Sequence, residues 1–461
     1  MIYEIIGVII LIIIILIYYF VVKGKEEEPE DTKYKPADSR EPMTIDLPGE
    51  PEPKKSEKPQ PYIKPDNPQQ PEKFSKPAPP KKETSQKPPP KKEISPTFSF
   101  TRTFPPELND YYSSPEFIGE GGFAFVFKAM INEDKRLVAI KIPKEINAKI
   151  GELFLREIRI WGDLHHKNIA KLYKANIYPC PYLEIEYVGR KSMEHIKKPV
   201  SIEKAAELIY NLLLGLMEAH SKNIYHLDLK PDNIMLTENG EPKITDWGLS
   251  KIAKHSKYSV VNGLTIMYSA PELISPEDFG KADNRTDIFQ IGTVFYEIIT
   301  GKNPFDADTQ TQILTKILTK NPVKPSEINP DAKVLDNIIM KCLEKKKENR
   351  YQNLLELQKD LAEYLKIEYK KSLMKSKSIN DMKRSGIYCG ELLIVFACQN
   401  DIENALKYAI DLKNYAKGEF KEDIDSIIKQ LKWRMDKEMN INGELQQQIN
   451  IIVHQVKMGR K

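Results

Sequence analysis

His226-Leu227-Asp228-Leu229-Lys230-Pro231-Asp232-Asn233 sets two acids, a lysine and an asparagine within eight positions. Downstream come Asp246-Trp247-Gly248 and then Ala270-Pro271-Glu272. Each run alone is common; their order and spacing carry the reading. Upstream, Gly119-Glu120-Gly121-Gly122-Phe123-Ala124-Phe125-Val126 lies between two strand patterns, covering residues 116–130 and 136–142. Its glycines let the backbone turn tightly and bring N–H groups close to a polyphosphate. A glycine-rich turn is also the ordinary way to close a hairpin, so this segment alone leaves both readings open. The chain contains no G-x-x-x-x-G-K-[ST], which excludes a P-loop. Val138-Ala139-Ile140-Lys141 begins 12 residues after Val126 and alternates as a strand does. That predicts Lys141 on the face opposite Ile140, beside the glycine turn, where an ammonium can meet phosphate oxygens. Glu157, inside a helical run over 153–161, is an acid that could steady that ammonium; by itself it reads as an ordinary solvated helix charge.

Taken together, over about 260 residues, these motifs resemble the eukaryotic-type serine/threonine protein kinase family, with Asp246-Trp247-Gly248 standing where the family has D-F-G. The resemblance implies an α+β, bilobal protein-kinase fold with a small β-rich N-lobe and a larger α-helical C-lobe. It implies that Gly119, Glu120, Gly121, Gly122, Phe123, Ala124 and Val126 cover ATP, and that Ala139 and Met235 sandwich the adenine. Residues 184–188 resemble the hinge, where backbone groups of Glu186 and Val188 would bond adenine and Ile185 would be the gatekeeper. Lys141 would contact the α- and β-phosphates and pair with Glu157. Asp246 and Asn233 would hold Mg²⁺, or Mn²⁺ in its place, because hard cations must neutralise the transferring phosphoryl group. Asp228 would orient the substrate hydroxyl and accept its proton, with Lys230 steadying the γ-phosphate. On the same pattern His226 and His165-His166 are packing and turn residues, and Asp287 braces the catalytic loop. Glu272 and Arg350 form a buried ion pair, and Trp161 and Trp247 stack between the lobes.

Lys230 two residues after Asp228, with Thr265 five before Ala270, resembles the serine/threonine branch, and the length of the 246–272 segment separates the chain from small-molecule kinases. Leu227 departs from the pattern: the family's usual arginine there receives an activation-loop phosphate, and leucine cannot. Phosphorylation of Ser256, Ser259 or Thr265 is therefore not expected to be an obligatory switch. Ala124 in the third glycine position is a mild departure.

Outside residues 107–368, taken as the kinase domain, the chain changes character. Residues 5–22 are almost entirely Ile, Leu, Val, Tyr and Phe, about the length that spans roughly 30 Å of hydrocarbon as a helix. With Lys23 and Lys25 at its far end, residues 1–23 read as a single-pass transmembrane anchor that leaves the rest cytoplasmic. Residues 24–106 hold 20 of the 33 prolines and read as a disordered Pro/Lys/Glu-rich linker, too poor in aliphatic side chains to offset folding entropy. Residues 369–461 read as an α-helical C-terminal extension of open purpose. In it Asn400 and Glu403 suggest a capping box, and Ile402, Ala405, Leu406 and Ala409 a stripe, as do Ile424, Ile427, Ile428, Leu431 and Met435. One helical pair of tetratricopeptide type is suggested near 390–412, with no second copy. Seventy Lys and Arg against 66 Asp and Glu give a net charge of +4 and no pull toward nucleic acid. Four scattered cysteines fit neither a zinc site nor a disulfide framework. The expected partners are proteins with Ser or Thr hydroxyls, the membrane through residues 5–22, and other copies of the chain for autophosphorylation. The alternative is a pseudokinase scaffold, against which stands the presence of all five of Lys141, Glu157, Asp228, Asn233 and Asp246.

Overall fold

Alternation along residues 137–143 sends Val138, Ile140 and Ile142 to one face, where they are buried with Leu108, Phe125, Phe127 and Tyr182. Ala139 and Lys141 are left on the other face. In the computed structural model this strand lies inside a five-stranded antiparallel sheet. The strands are β1 (Tyr112–Glu120), β2 (Ala124–Ile131), β3 (Leu137–Pro143), β4 (Leu172–Asn176) and β5 (Tyr182–Glu186), in the order β1-β2-β3-β5-β4. Register puts Val126 opposite both Gly119 and Lys141, so the glycine turn and the lysine meet on adjacent strands. Helix α1 (Ala148–Gly162) connects β3 to β4.

The structure describes residues 98–99, 101–121, 124–146, 148–247, 266–418 and 420–458. Gly122, Phe123, Gly248, Ser256, Ser259, Thr265, the apolar stretch 5–22 and most of the Pro-rich segment lie outside them. Among the described residues no helix is long and apolar enough to cross a membrane. Ordered structure begins before residue 107: Phe98–Ser99 pairs antiparallel with Glu145–Ile146, and Phe104 packs edge-on against Tyr112 and Phe127. Phe104, inside the expected linker, thus adds apolar surface to the core of the smaller lobe.

The larger lobe is built on α2 (Ile202–Ser221) and α3 (Asn284–Thr300). Ser201 caps α2, and Asp283 forms a capping box with Thr286 at the start of α3. Gly301, at φ +74°, ends α3 in the left-handed conformation glycine tolerates. Nearly every side chain of α3 is buried, polar ones included. Strands β6 (Lys191–Ser192), β7 (Ile234–Leu236) and β8 (Pro242–Ile244) form a small sheet beneath the hinge, in the order β8-β7-β6. The two lobes match the expected bilobal fold.

Helix α4 (Leu354–Ser378) buries Leu354, Leu357, Leu361 and Leu365 as the spacing predicts, and then continues through residue 369 without a break. It is followed by α5 (Met382–Cys398), α6 (Ile402–Lys413), α7 (Phe420–Asp436) and α8 (Gly443–Met458). α4 packs on α2 and α5, each later helix packs on the next, and α8 returns to α5. Their apolar side chains belong to the same core as Trp247 and Phe289, so the extension is continuous with the larger lobe. Two expectations are corrected. Asn400 is not the cap of α6: at φ +60° it turns outward to accept from Ile441 N, and Asp401 caps the helix by accepting from Asn404 N. The stripe on α7 stops at Leu431, with Met435 exposed, because the helix end runs past the core.

Candidate active site

Lys141 emerges from the cleft face of β3 and is buried between two carboxylates. Its Nζ lies 2.6 Å from Glu157 Oε1, on α1, and 2.7 Å from Asp246 Oδ1, beyond β8. Burial disfavours the ammonium, but the charges of Asp246 and Glu157 outweigh it and hold the lysine pKa above its ordinary range. Burial raises Glu157, with Lys141 opposing, whereas at Asp246 the nearby Lys141 overcomes burial and lowers the carboxyl pKa. Three charges from two lobes are thus locked to one point, 105 residues apart in sequence at the extreme.

The loop carrying Asp228 is over-determined from below. Asp287 accepts from His226 N (2.8 Å), Leu227 N (2.7 Å) and His220 Nε2 (2.7 Å). Gln290, one turn along α3, accepts from Leu229 N and donates to Leu227 O. These bonds hold Leu227 at φ +63°, a conformation a leucine would not adopt unaided. Asp246 is strained in the same way, at φ +62°. His226 accepts from Asp228 N through Nδ1, donates from Nε2 to Thr245 O, and lies against Trp247 with ring centres 4.9 Å apart. It therefore packs and turns the chain. Trp161 gives its indole N–H to Ala170 O, and the close ring neighbour of Trp247 is His226.

Asn233 donates from Nδ2 to the backbone oxygen of Asp228 (2.8 Å) and to its carboxylate (3.1 Å), and Lys230 Nζ stands 3.3 Å from the same carboxylate. Asn233 thereby keeps its amide oxygen, and Asp246 its second carboxylate oxygen, for a hard cation. Among the described residues no three His, Cys, Asp or Glu gather into a cage.

A protein kinase domain model matches residues 112–361, more than half of the chain. The chain belongs to the protein kinase family. A probable serine/threonine-protein kinase of Clostridium acetobutylicum is 34% identical over 265 residues, covering 55% of this chain and 40% of that protein. A probable serine/threonine-protein kinase of Clostridium perfringens is 33% identical over 269 residues, with 56% and 39% covered. Serine/threonine-protein kinase PknB of Mycobacterium leprae is 30% identical over 273 residues, with 56% and 44% covered. The chain spans less than half the length of these curated relatives.

The other described residues of the expected site fall on or beside β1, β2, β3, β5 and β7. Ala139 sits beside Ile185 across β3 and β5. Met235 is on β7, opposite Lys243, and Gly119, Glu120, Gly121, Ala124 and Val126 form the β1–β2 hairpin. Glu186 at the hinge is tied by Lys243 Nζ (2.9 Å) and by the backbone of Lys171, ahead of Val188. Glu272 and Arg350 make a two-pronged, fully buried pair at 2.8 and 2.9 Å. His166 accepts from Asn168 N, and burial pushes it down to about 4, which keeps it neutral. Gln290 and Lys243 were not singled out in the sequence. Gln290 carries one signal, its position three residues after Asp287 on the same helix face.

Proposed function

We propose that the chain is a serine/threonine protein kinase, transferring the γ-phosphoryl group of ATP to Ser or Thr hydroxyls of proteins. The observation that carries this reading is Lys141 clasped by Glu157 and Asp246, the arrangement a triphosphate needs to be gripped and aligned. ATP with its divalent ion supplies the transferable group. Lys141 binds the α- and β-phosphates; Asp246 and Asn233 hold the cation; Glu186 and Val188 bond adenine through their backbones between Ala139 and Met235. Asp228 orients the substrate hydroxyl and takes its proton as the oxygen–phosphorus bond forms, and Lys230 offsets charge on the moving phosphoryl group. Lys230 two residues after Asp228 supports Ser/Thr hydroxyls, and the printed names of the relatives agree. The apolar stretch 5–22 supports a single-pass anchor with the kinase on the cytoplasmic side, which raises its concentration near membrane-bound substrates and near its own copies.

The test is a labelled-ATP assay with Mg²⁺ on the full chain and its Asp228→Asn variant, followed by phosphoamino-acid analysis. Incorporation by the unaltered chain alone, as phosphoserine or phosphothreonine, is expected. Equal incorporation by both would remove the catalytic reading in favour of a scaffold, and predominant phosphotyrosine would remove the Ser/Thr assignment.

A further inference from the structure

The outer face of the last turns of α4 carries Ile367, Lys370, Lys371, Met374, Lys375 and Ser378, spaced by threes and fours into one exposed stripe. The inner face is buried through Tyr369, Leu373 and Ser376. The stripe continues around the corner into α5 through Ile379 and Met382, then Lys383 and Arg384. Met374 is 71% exposed, Ile379 60% and Met382 59%. From residue 367 to 384, six cations stand against only Glu368 and Asp381, a surplus of four that equals the net charge of the whole chain.

Local pairing absorbs part of this charge: Lys371 meets Glu368 at 2.8 Å, Lys377 meets Asp411 at 3.3 Å and Arg384 meets Asp381 at 3.5 Å. Among the described residues, Lys370, Lys375 and Lys383 have no carboxylate at ion-pair distance. Two features separate the corner from an ordinary solvated face. Lys383 and Arg384 occupy the first turn of α5, where the helix dipole disfavours cations, and only Arg384 finds a carboxylate, that of the cap Asp381. Met374, Ile379 and Met382 are large apolar tips left without cover within nine residues, a density that calls for an apolar partner.

We propose that the α4–α5 corner is a peripheral contact for an anionic lipid bilayer. Met374, Ile379 and Met382 enter the boundary between headgroups and acyl chains, and the lysines meet the negative headgroups. A nucleic acid would satisfy the cations but offers no apolar phase to the three tips, and an apolar protein groove would leave the cations unanswered. The inference deepens the membrane-facing reading above and rests on it for location, while its chemistry stands on the corner alone.

The experiment measures hydrogen exchange over residues 367–384 of the full chain in nanodiscs of phosphatidylcholine, with and without phosphatidylserine. Slowed exchange only with phosphatidylserine is expected, lost in the Lys371→Gln/Lys375→Gln/Lys383→Gln variant and weakened in Met374→Ser/Met382→Ser. Where the chain does not insert, the triple variant should partition about a hundred-fold more weakly onto vesicles containing phosphatidylserine. Equal exchange in both discs overturns the proposal. So does protection indifferent to the methionine changes, or matched by duplex DNA in solution. Failure of the chain to incorporate into phosphatidylcholine discs would count against the anchor instead, and vesicle partition then still reads the corner.

Discussion

Asp287 accepts three hydrogen bonds at zero exposure, and two of them come from the backbone that delivers Asp228. Asp287→Ala leaves those donors unpaired and Leu227 unsupported in its left-handed conformation, so it should cost about 3 kcal/mol or more, read by urea unfolding, and abolish phosphoryl transfer. Asp283 makes a different, pH-dependent contribution. Burial opposes its charge, but hydrogen bonds from Arg285 and Lys347 prevail and hold its pKa at about 2, below the ordinary 3.8. A depressed acid stabilises the fold above its unfolded pKa and loses that contribution as pH falls through the folded value. The stability gap between the unaltered chain and Asp283→Asn should therefore be full at pH 6, about 2 kcal/mol, and shrink between pH 4 and pH 2. A gap constant across that range would refute the assignment. At this scale the sequence was legible in the pairing of Lys141 with Glu157, opposite charges that burial forces together. It was illegible at Gln290, whose clamp on Leu227 and Leu229 is made to backbone atoms and leaves no motif.

Helix packing makes its own demands on residue size, and glycines expose them. A Cβ on Gly292 of α3 would fall 2.5 Å from Cys342 Cβ, an atom fixed to the neighbouring backbone. On Gly390 of α5 it would fall 2.6 Å from Val453 Cγ1, a buried tip on α8. Gly292→Ala should thus cost at least as much as Gly390→Ala, each within about 1–3 kcal/mol, since overpacking must move a helix rather than a flexible side chain. Chemical denaturation of the two variants decides the order; a neutral Gly292→Ala would show that α3 and Cys342 separate freely. Periodicity revealed α4 through its leucines and β3 through strict alternation, because each buries its large apolar side chains on one face. It failed for the pairing of α5 with α8, where contact depends on glycine at Gly390, and a residue without a side chain gives no hydrophobic signal. The same limit misplaced the cap of α6: Asn400 and Asp401 are both good cap residues, and the choice fell to a tertiary bond between Asn400 and the backbone of Ile441.

Composition divides the chain sharply at its N-terminal side, since the Pro-rich segment and the folded part share little chemistry. No such break marks the C-terminal side, because helices of one amphipathic type serve both the larger lobe and the extension. The structure joins them through a shared core: Tyr369 and Leu373 of α4 are buried under the helices that follow. Beyond the core, His454 of α8 meets Glu241, in the turn between β7 and β8, at 2.9 Å. The bulk of residues 98–458 is therefore expected to unfold cooperatively. A chain ending at Ser378 would uncover Tyr369 and Leu373, each worth about 2–3 kcal/mol of burial, and should melt about 10 °C lower while binding an apolar dye. Scanning calorimetry of the full and shortened chains separates the alternatives. A full chain with two transitions, one unchanged by the truncation, would mean that the helices after α4 fold as a body of their own and lend the kinase lobes no stability.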